Sequence, residues 1–319
     1  MKLFPAPSDN RFLSMKAEIG DTSKGRCWAP LVDCKNPPIR AHSIQNSRIL
    51  ESLQENGVVS KIGNVVRDKE THLAFENVGR NKATTFRGFC AEHDAALFKV
   101  LDEEPMGALS KRQKALLTWR AISHEMADKM AIGSNFQNQY AKAIARGEAS
   151  ADEPHPFGME AIAWMKVLHD FFIYRQRHLD GYITGQADLK EYRLKHYILK
   201  GTGAIVAASS FFTFEKTEQA YMAFNVYPWD GNTHVLFGYS REHTRLAAPL
   251  ARSILTKGQV DEAKLSALII GRMHNFVLKP SVVSSWTDQK REEILAAYGT
   301  TIISTEALPP LQNTNLFSS

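Results

Sequence analysis

The stretch Thr84–Phe98, TTFRGFCAEHDAALF, decides how the first third of this sequence is expected to fold. Phe86 and Phe89 are predicted to anchor a core, and Cys90 and His93 follow them at the expected start of a helix. Side chains three residues apart lie on the same face of a helix, so this thiol and this imidazole converge on one point. The arrangement is typical of half of a metal site.

The other two cysteines of the chain, Cys27 and Cys34, lie upstream, in a segment that a following proline pair keeps out of helix. Structural zinc sites have four thiolate or imidazole ligands in a tetrahedron, commonly one pair from a knuckle and one from a helix start. We therefore expect Cys27, Cys34, Cys90 and His93 to bind one structural Zn²⁺. The alternative is that the cysteines are small buried apolar residues.

A domain boundary is predicted near Pro105, where the character of the sequence changes. The unit before it is small for a self-sufficient core, and a structural metal would reinforce it. The predicted organisation is a flexible lead-in over 1–24, a zinc-binding module over 25–105, a helical domain with a β-hairpin over 106–305, and a flexible tail over 306–319.

The region after the boundary is predicted to be mainly helical. Ser110 is the expected cap of a long helix, and two more helices are predicted over 159–179 and 188–199. A strand around 204–214 precedes a hairpin whose turn lies at Trp229–Asn232. The fold class is therefore expected to be α+β, with a small zinc module and a larger, mainly helical domain that carries a small antiparallel sheet.

The composition excludes few functions. The 319 residues contain 39 Lys and Arg against 34 Asp and Glu, a net charge of +5, and the pI is about 9.0. This balance is compatible with nucleic acid as a partner but is weak evidence for it. Because the sequence contains neither a secretory signal pattern nor an apolar run near the ~20 residues of a spanning helix, we expect a cytoplasmic protein without a membrane segment. The oligomeric state is not predicted.

Three motifs follow one another in the first third of the chain. The two upstream cysteines are followed by His42 in the segment RAHSIQ, and then by Phe-Cys-x-x-His-Asp at a helix start. This order resembles the treble-clef zinc scaffold of HNH-type (His-Me finger) nucleases, in which two zinc-binding pairs brace a ββα unit. The resemblance covers about residues 25 to 100, and the two later segments are also similar to parts of uncharacterised bacterial proteins.

The resemblance implies a role for several residues. His42 matches the general base that activates a water, and Asp94 matches the helix residue that holds a catalytic Mg²⁺ or Mn²⁺. The substrate would be a phosphodiester of DNA or RNA, and defence of a bacterium against foreign nucleic acid is the setting that this implies. Phosphate contacts are expected from four basic residues of the module: Arg40, Arg48, Lys82 and Arg87.

The pattern of the family is incomplete in this chain. Ala41 stands where an acidic residue commonly precedes the histidine, and Gln45 stands where a proline usually follows it. The interval from His42 to Cys90 is also longer than a compact ββα unit requires. Two roles for His42 therefore stay open, a general base or a histidine that packs beside the zinc knuckle.

A second histidine motif, His124-Glu125-x-x-Asp128, differs by one residue from the HExxH signature of zinc proteases. Asp128 stands in place of the second histidine and removes that zinc ligand. We therefore interpret the motif as the polar face of a helix.

Three hypotheses about function result. The first is a metal-dependent, HNH-like nuclease, a phosphodiester hydrolase. The second is a non-enzymatic protein that zinc stabilises and that binds nucleic acid or another partner. The third is a sensor of a small molecule or nucleotide, in which the aromatic hairpin of the C-terminal region lines a pocket.

Overall fold

The structure is a computed structural model. The predicted lead-in over 1–24 and residues 304–313, which include the start of the predicted tail, lie outside the described residues. The end of the chain packs on the rest of the protein, since Leu316 is buried and Trp286 Nε1 donates to the carbonyl of Ser318 at 3.1 Å. The described residues are 26–30, 34–67, 70–105, 108–214, 219–303 and 314–318.

Most of the strands belong to one antiparallel sheet. In chain order the strands are β1 (Ile39–His42), β2 (Val58–Arg67), β3 (Glu70–Gly79), β4 (Thr85–Phe89), β5 (Tyr192–Leu199), β6 (Val206–Phe214), β7 (Ala220–Trp229), β8 (Asn232–Ser240), β9 (Leu255–Thr256), β10 (Gln259–Val260) and β11 (Phe276–Leu278). Seven of them form the main sheet in the order β3-β2-β11-β6-β7-β8-β5. The pairs β1–β4 and β9–β10 are separate two-stranded sheets.

Seven helices of six or more residues lie within the described part of the chain. They are α1 (Ala91–Glu103), α2 (Lys111–Ala145), α3 (Pro156–Arg175), α4 (Thr244–Arg252), α5 (Glu262–Arg272), α6 (Pro280–Ser285) and α7 (Asp288–Ile303). The predicted cap of α2 is confirmed, because Ser110 accepts from the backbone N–H of Gln113 and the Gln113 side chain accepts from the backbone N–H of Ser110. This reciprocal capping satisfies two backbone donors at the start of a 35-residue helix.

The predicted hairpin is confirmed. β7 and β8 pair up to the residues Trp229 and Asn232, which leaves a two-residue loop. Asp230 and Gly231 both have positive φ, 49° and 71°. A two-residue loop with positive φ at both positions matches the right-handed twist of the two strands, and Asp-Gly is a preferred pair for it.

The helix predicted over 188–199 is wrong, because most of this segment is strand β5. All of β5 pairs with β8, from Tyr192 opposite Ser240 to Leu199 opposite Thr233. Lysine, leucine and tyrosine at these positions fit a half-buried strand as well as a helix, and tertiary pairing decides between the two. Pairing with β5 also covers an edge of β8 that would otherwise present unpaired backbone groups.

The mixed α and β class is confirmed, but the predicted small sheet of a mainly helical domain is wrong. β2 and β3 come from the predicted zinc module, yet β2 pairs with β11, and β11 pairs with β6. One sheet therefore crosses the boundary predicted near Pro105. The three-residue strand β11 makes this connection. Three residues are too few to show the alternation of apolar and polar residues by which a strand is recognised in a sequence.

The main sheet is covered by helices on both faces, so its central strands are buried on both sides. On β7, Ala223 faces the core that α2 covers, and its neighbour Phe224 faces the core that α4, α5 and α7 cover. Trp119 of α2 is fully buried and lies 5.3 Å from the ring of Phe89 and 5.9 Å from that of Phe98. The unit that carries the cysteines therefore shares one hydrophobic core with α2. None of the described helices is long and apolar enough to cross a membrane.

The shared core predicts a large effect of truncating Phe89. Its ring is fully buried between Phe98 and Trp119. We expect Phe89→Ala to lower the free energy of unfolding by about 3–5 kcal/mol, because the substitution removes an aromatic ring and leaves a cavity. Chemical denaturation measures this change. Ile198→Ala is the control, since Ile198 is 44 % exposed, and its cost should stay below about 1 kcal/mol.

Candidate metal centre

The cysteine-bearing segments are held together by backbone pairing. β1 and β4 form an antiparallel pair with Ala41 opposite Phe86, and the backbone N–H of Trp28 donates to the carbonyl of Gly88 at 2.7 Å. The segment that carries Cys27 therefore runs beside the end of β4. Helix α1 begins directly after Cys90, whose backbone is extended, so β4 delivers Cys90 to the start of the helix.

The side chains of Cys27, Cys34, Cys90 and His93 converge on one point, as predicted. Each contributes one ligand atom, and these atoms all lie within 4.8 Å of one another. The Sγ atoms of Cys34 and Cys90 are 3.8 Å apart. His93 Nδ1 lies 3.2 Å from the Sγ of Cys90 and 3.5 Å from that of Cys27.

These separations fit a tetrahedral ion. Ligand sulfurs about 2.3 Å from a zinc ion are about 3.8 Å apart, and a ligand nitrogen at about 2.0 Å is about 3.5 Å from each sulfur. The sulfur pair is much farther apart than the ~2.05 Å of a disulfide, and all three cysteines are free. The four residues could therefore bind a metal ion, and His93 distinguishes this cluster from a group of small buried apolar cysteines.

The surroundings affect the two buried thiols differently. Burial raises the pKa of Cys27 to about 11, so this thiol holds its proton in the absence of a positive charge. Burial also opposes ionisation of Cys90, but the backbone N–H of His93 and hydrogen bonds from Cys34 and His93 outweigh it and lower the pKa to about 7. A cation among the three sulfurs would favour their thiolate forms.

A cleft lies beside the cluster and carries positive charge. Its volume is about 430 Å³, and Cys27 and Cys34 form part of its wall. Three basic residues also line it: Arg26, Lys35 and Arg87. Of the four basic residues predicted to contact phosphate, Arg87 is therefore the one that borders the cluster.

The other three predicted phosphate contacts are not gathered at this cleft. Arg40 and Lys82 are exposed, on β1 and in the turn after β3. Arg48 is used within the protein, since its guanidinium donates to the carbonyls of Glu103 and Glu104 at the end of α1. Arg48 also borders a separate cleft of about 340 Å³ at the hairpin turn, which Trp229 lines. This is the pocket-forming region that the sensor hypothesis requires.

The long interval between His42 and Cys90 has a structural explanation. The chain leaves β1, forms a short helical segment at 46–53 and then the hairpin of β2 and β3, before it returns as β4. The hairpin extends away to join the main sheet through β11. The β1–β4–α1 unit thus keeps a ββα order, with an insertion between its two strands.

His42 and Asp94 lie on neighbouring parts of this unit. His42 ends β1 opposite Thr85 and is partly buried, and its Nε2 lies 3.4 Å from the carbonyl oxygen of Arg80. Burial lowers the pKa of this imidazole. Asp94 occupies the first turn of α1, and burial raises the pKa of its carboxyl, against the opposing charge of Arg120.

Arg120 of α2 is a site residue that the sequence did not reveal. Its guanidinium is buried over the ring of Phe98, 3.5 Å from the ring centre, and its charge acts on both His42 and Asp94. Both Arg120 Nε and Asp94 Oδ1 are buried without a hydrogen-bond partner. Only the fold brings α2 against α1 and β4, so no local motif marks this residue.

Comparisons of the chain with protein-family models, with curated proteins and with solved structures find no match. The geometry of the site is therefore the basis for any functional assignment.

Proposed function

We propose that Cys27, Cys34, Cys90 and His93 bind a structural zinc ion that fixes the β1–β4–α1 unit to the segment before it. The observation that carries this proposal is the convergence of three sulfurs and one imidazole nitrogen within 4.8 Å. Three thiolates and one imidazole form a closed tetrahedral set, which is typical of structural zinc and leaves no position for a substrate.

The same unit supports a proposal for activity, metal-dependent hydrolysis of DNA or RNA of the HNH type. The order of a metal-binding pair, strand, strand and helix matches the scaffold that the sequence resembles. His42 lies on the first strand and Asp94 on the helix, and both are close enough to Arg120 for its charge to act on them. The basic cleft beside the cluster provides a route for a phosphate backbone.

In this mechanism, His42 is neutral and accepts a proton from the water that attacks phosphorus. A divalent ion bound by Asp94 would stabilise the charge that develops on the leaving oxygen. Arg120 keeps the carboxyl of Asp94 more acidic than burial alone would allow. Arg87 would contact a phosphate from the side of the cleft.

A second candidate function, binding of nucleic acid without cleavage, is favoured by a specific observation. Asp94 Oδ1 is enclosed by protein, and His42 is partly buried, so both side chains are less open than a hydrolytic site requires. The basic cleft would still contact phosphates. Incubation of the zinc-loaded protein with single- and double-stranded DNA and RNA, in Mg²⁺ and in Mn²⁺, separates the two candidates. Cleavage supports the hydrolase, whereas retention of intact nucleic acid supports the binding protein.

The lowered pKa of His42 predicts the pH dependence of cleavage. Burial holds this pKa below its usual value of 6.5, so the imidazole stays neutral and able to accept a proton as the pH falls toward that value. We expect the cleavage rate to fall with decreasing pH only below pH 6.5, as the imidazole of His42 takes up one proton. Measurement of the cleavage rate as a function of pH tests this expectation. An acid limb centred above 6.5 would contradict the role of His42 as the base.

A further inference from the structure

The motif His124-Glu125-x-x-Asp128 is not the solvated helix face that its sequence suggests. In α2, His124 is 5 % exposed and Glu125 is 7 % exposed, beneath the main sheet. Ser210 of β6 donates to Glu125 Oε1 at 2.8 Å, and Lys129 Nζ lies 3.0 Å from Glu125 Oε2. The side chain of Asp128 is 48 % exposed, so the group opens to solvent at this end.

The three side chains lie close together, and an ion at this group would bind one of the two nitrogens of His124. One ligand atom from each of His124, Glu125 and Asp128 lies within 4.8 Å of the others. The two nitrogens of His124 lie on different sides, with Nδ1 3.9 Å from Glu125 Oε1 and Nε2 3.7 Å from Asp128 Oδ2. Neighbouring ligand atoms around an ion with bonds of about 2.1 Å are about 3.0–3.4 Å apart, so rotation of the two carboxylate side chains toward one imidazole nitrogen would close this group on an ion.

His124 provides a second, independent indication of a ligand. Its Nδ1 is buried and has no hydrogen-bond partner. An unpartnered buried polar atom is destabilising, so its presence requires a reason. Two carboxylates flank the ring, since Glu125 Oε1 lies 3.9 Å from Nδ1 and Asp128 Oδ2 lies 3.7 Å from Nε2.

We propose that His124, Glu125 and Asp128 form a second metal site, separate from the cysteine cluster, that binds a divalent transition-metal ion such as Mn²⁺. One imidazole and two carboxylates are a mixed set of ligands that suits Mn²⁺ or Fe²⁺ better than a thiolate-seeking ion. The half-exposed side of Asp128 provides access for the ion.

Lys129 is the residue that competes with the ion. Its ammonium group neutralises Glu125 in the absence of metal, and it reaches the cluster from one helical turn away. When an ion binds, the ammonium group and the ion repel each other across the same carboxylate, so the ammonium group weakens ion binding. Removal of Lys129 is therefore expected to strengthen metal binding. If the group is only an ion-pair network, the same substitution removes an ion pair and no metal affinity rises.

The test uses the full chain loaded with zinc, titrated with Mn²⁺ and monitored by the electron paramagnetic resonance signal of free Mn²⁺. Zinc fills the thiolate cluster, so the Mn²⁺ binding that Asp128→Asn weakens and Asp170→Asn keeps is the binding at the second site. We expect the wild type to bind Mn²⁺, and we expect one of its Mn²⁺ ions to bind at least tenfold more weakly in Asp128→Asn, roughly the effect of losing a metal contact. The matched control is Asp170→Asn, since Asp170 is a helix carboxylate that pairs with a cation four residues away, as Asp128 does, and this variant should leave the affinity unchanged.

Lys129→Gln provides the second arm. We expect about tenfold tighter Mn²⁺ binding in this variant, since the competing charge is lost. We also expect Mn²⁺ to raise its thermal midpoint, because a ligand that binds only the folded state stabilises it. Absence of Mn²⁺ binding to the wild type, or equal affinity in the wild type and Asp128→Asn, would overturn the proposal. Weaker binding in Lys129→Gln would also overturn it.

Discussion

Cys90→Ser is expected to lose the zinc ion and to destabilise the protein strongly. The sulfur of Cys90 lies within 3.8 Å of the Cys34 sulfur and 3.2 Å of the His93 nitrogen, so its removal opens the tetrahedron on one side. Serine is a weak zinc ligand at neutral pH because its hydroxyl keeps its proton. We expect zinc content to fall from one per chain to well below half, measured by elemental analysis of the purified protein.

The effect on stability follows from the position of the cluster. Zinc would join the segment at Cys27 and Cys34 to the start of α1, and metal-binding energy of this kind contributes directly to folding. We expect the free energy of unfolding to fall by about 4 kcal/mol in Cys90→Ser, the scale of losing a structural metal. Ala29→Ser is the matched control, since Ala29 is buried in the same small cluster and is no ligand. Full zinc content and wild-type stability in Cys90→Ser would contradict the proposed ligand set.

His42→Ala is expected to abolish nucleic acid cleavage while it leaves zinc in place. Nε2 of His42 lies 3.4 Å from the carbonyl oxygen of Arg80, and His42 is not one of the four clustered residues, so the metal site should not depend on it. Loss of a general base typically lowers the rate about 10²- to 10⁴-fold. The comparison is of single-turnover rates on DNA or RNA in Mg²⁺ or Mn²⁺, together with zinc content.

The control for this substitution is His169→Ala, because His169 is an exposed histidine on α3, with 70 % of its side chain accessible. His169→Ala should cleave at the wild-type rate. If His42→Ala cleaves as fast as the wild type, His42 is not the base. If the wild-type protein binds nucleic acid but cleaves none, the second candidate function is the better account.

Local signals in the sequence predicted local structure well. Ser110 with Gln113 three residues later predicts a helix start, and Asp230-Gly231 predicts a two-residue turn, because each pattern fixes its own backbone. The cysteine cluster could also be predicted, since Cys90 and His93 are separated by one helical turn. Cys27 and Cys34 are the only other cysteines in the sequence, so few other residues could complete the ligand set.

The sheet could not be predicted in the same way. The sequence of β5 also suits a helix, and its strand partner β8 begins more than thirty residues later. β11 links β2 to β6 through only three residues. The same limit applies to the candidate site. Arg120 acts on His42 and Asp94 across a contact between helices, and nothing near Arg120 in the sequence indicates that contact.

The most direct test of the central claim is X-ray absorption at the zinc edge of the purified protein. Three sulfurs and one nitrogen converge in the structure, with sulfur–nitrogen distances of 3.2 Å and 3.5 Å. We therefore expect a first shell of three sulfurs at about 2.3 Å and one nitrogen at about 2.0 Å. A shell of nitrogen and oxygen alone, or a protein purified without zinc that also fails to take it up, would contradict the account.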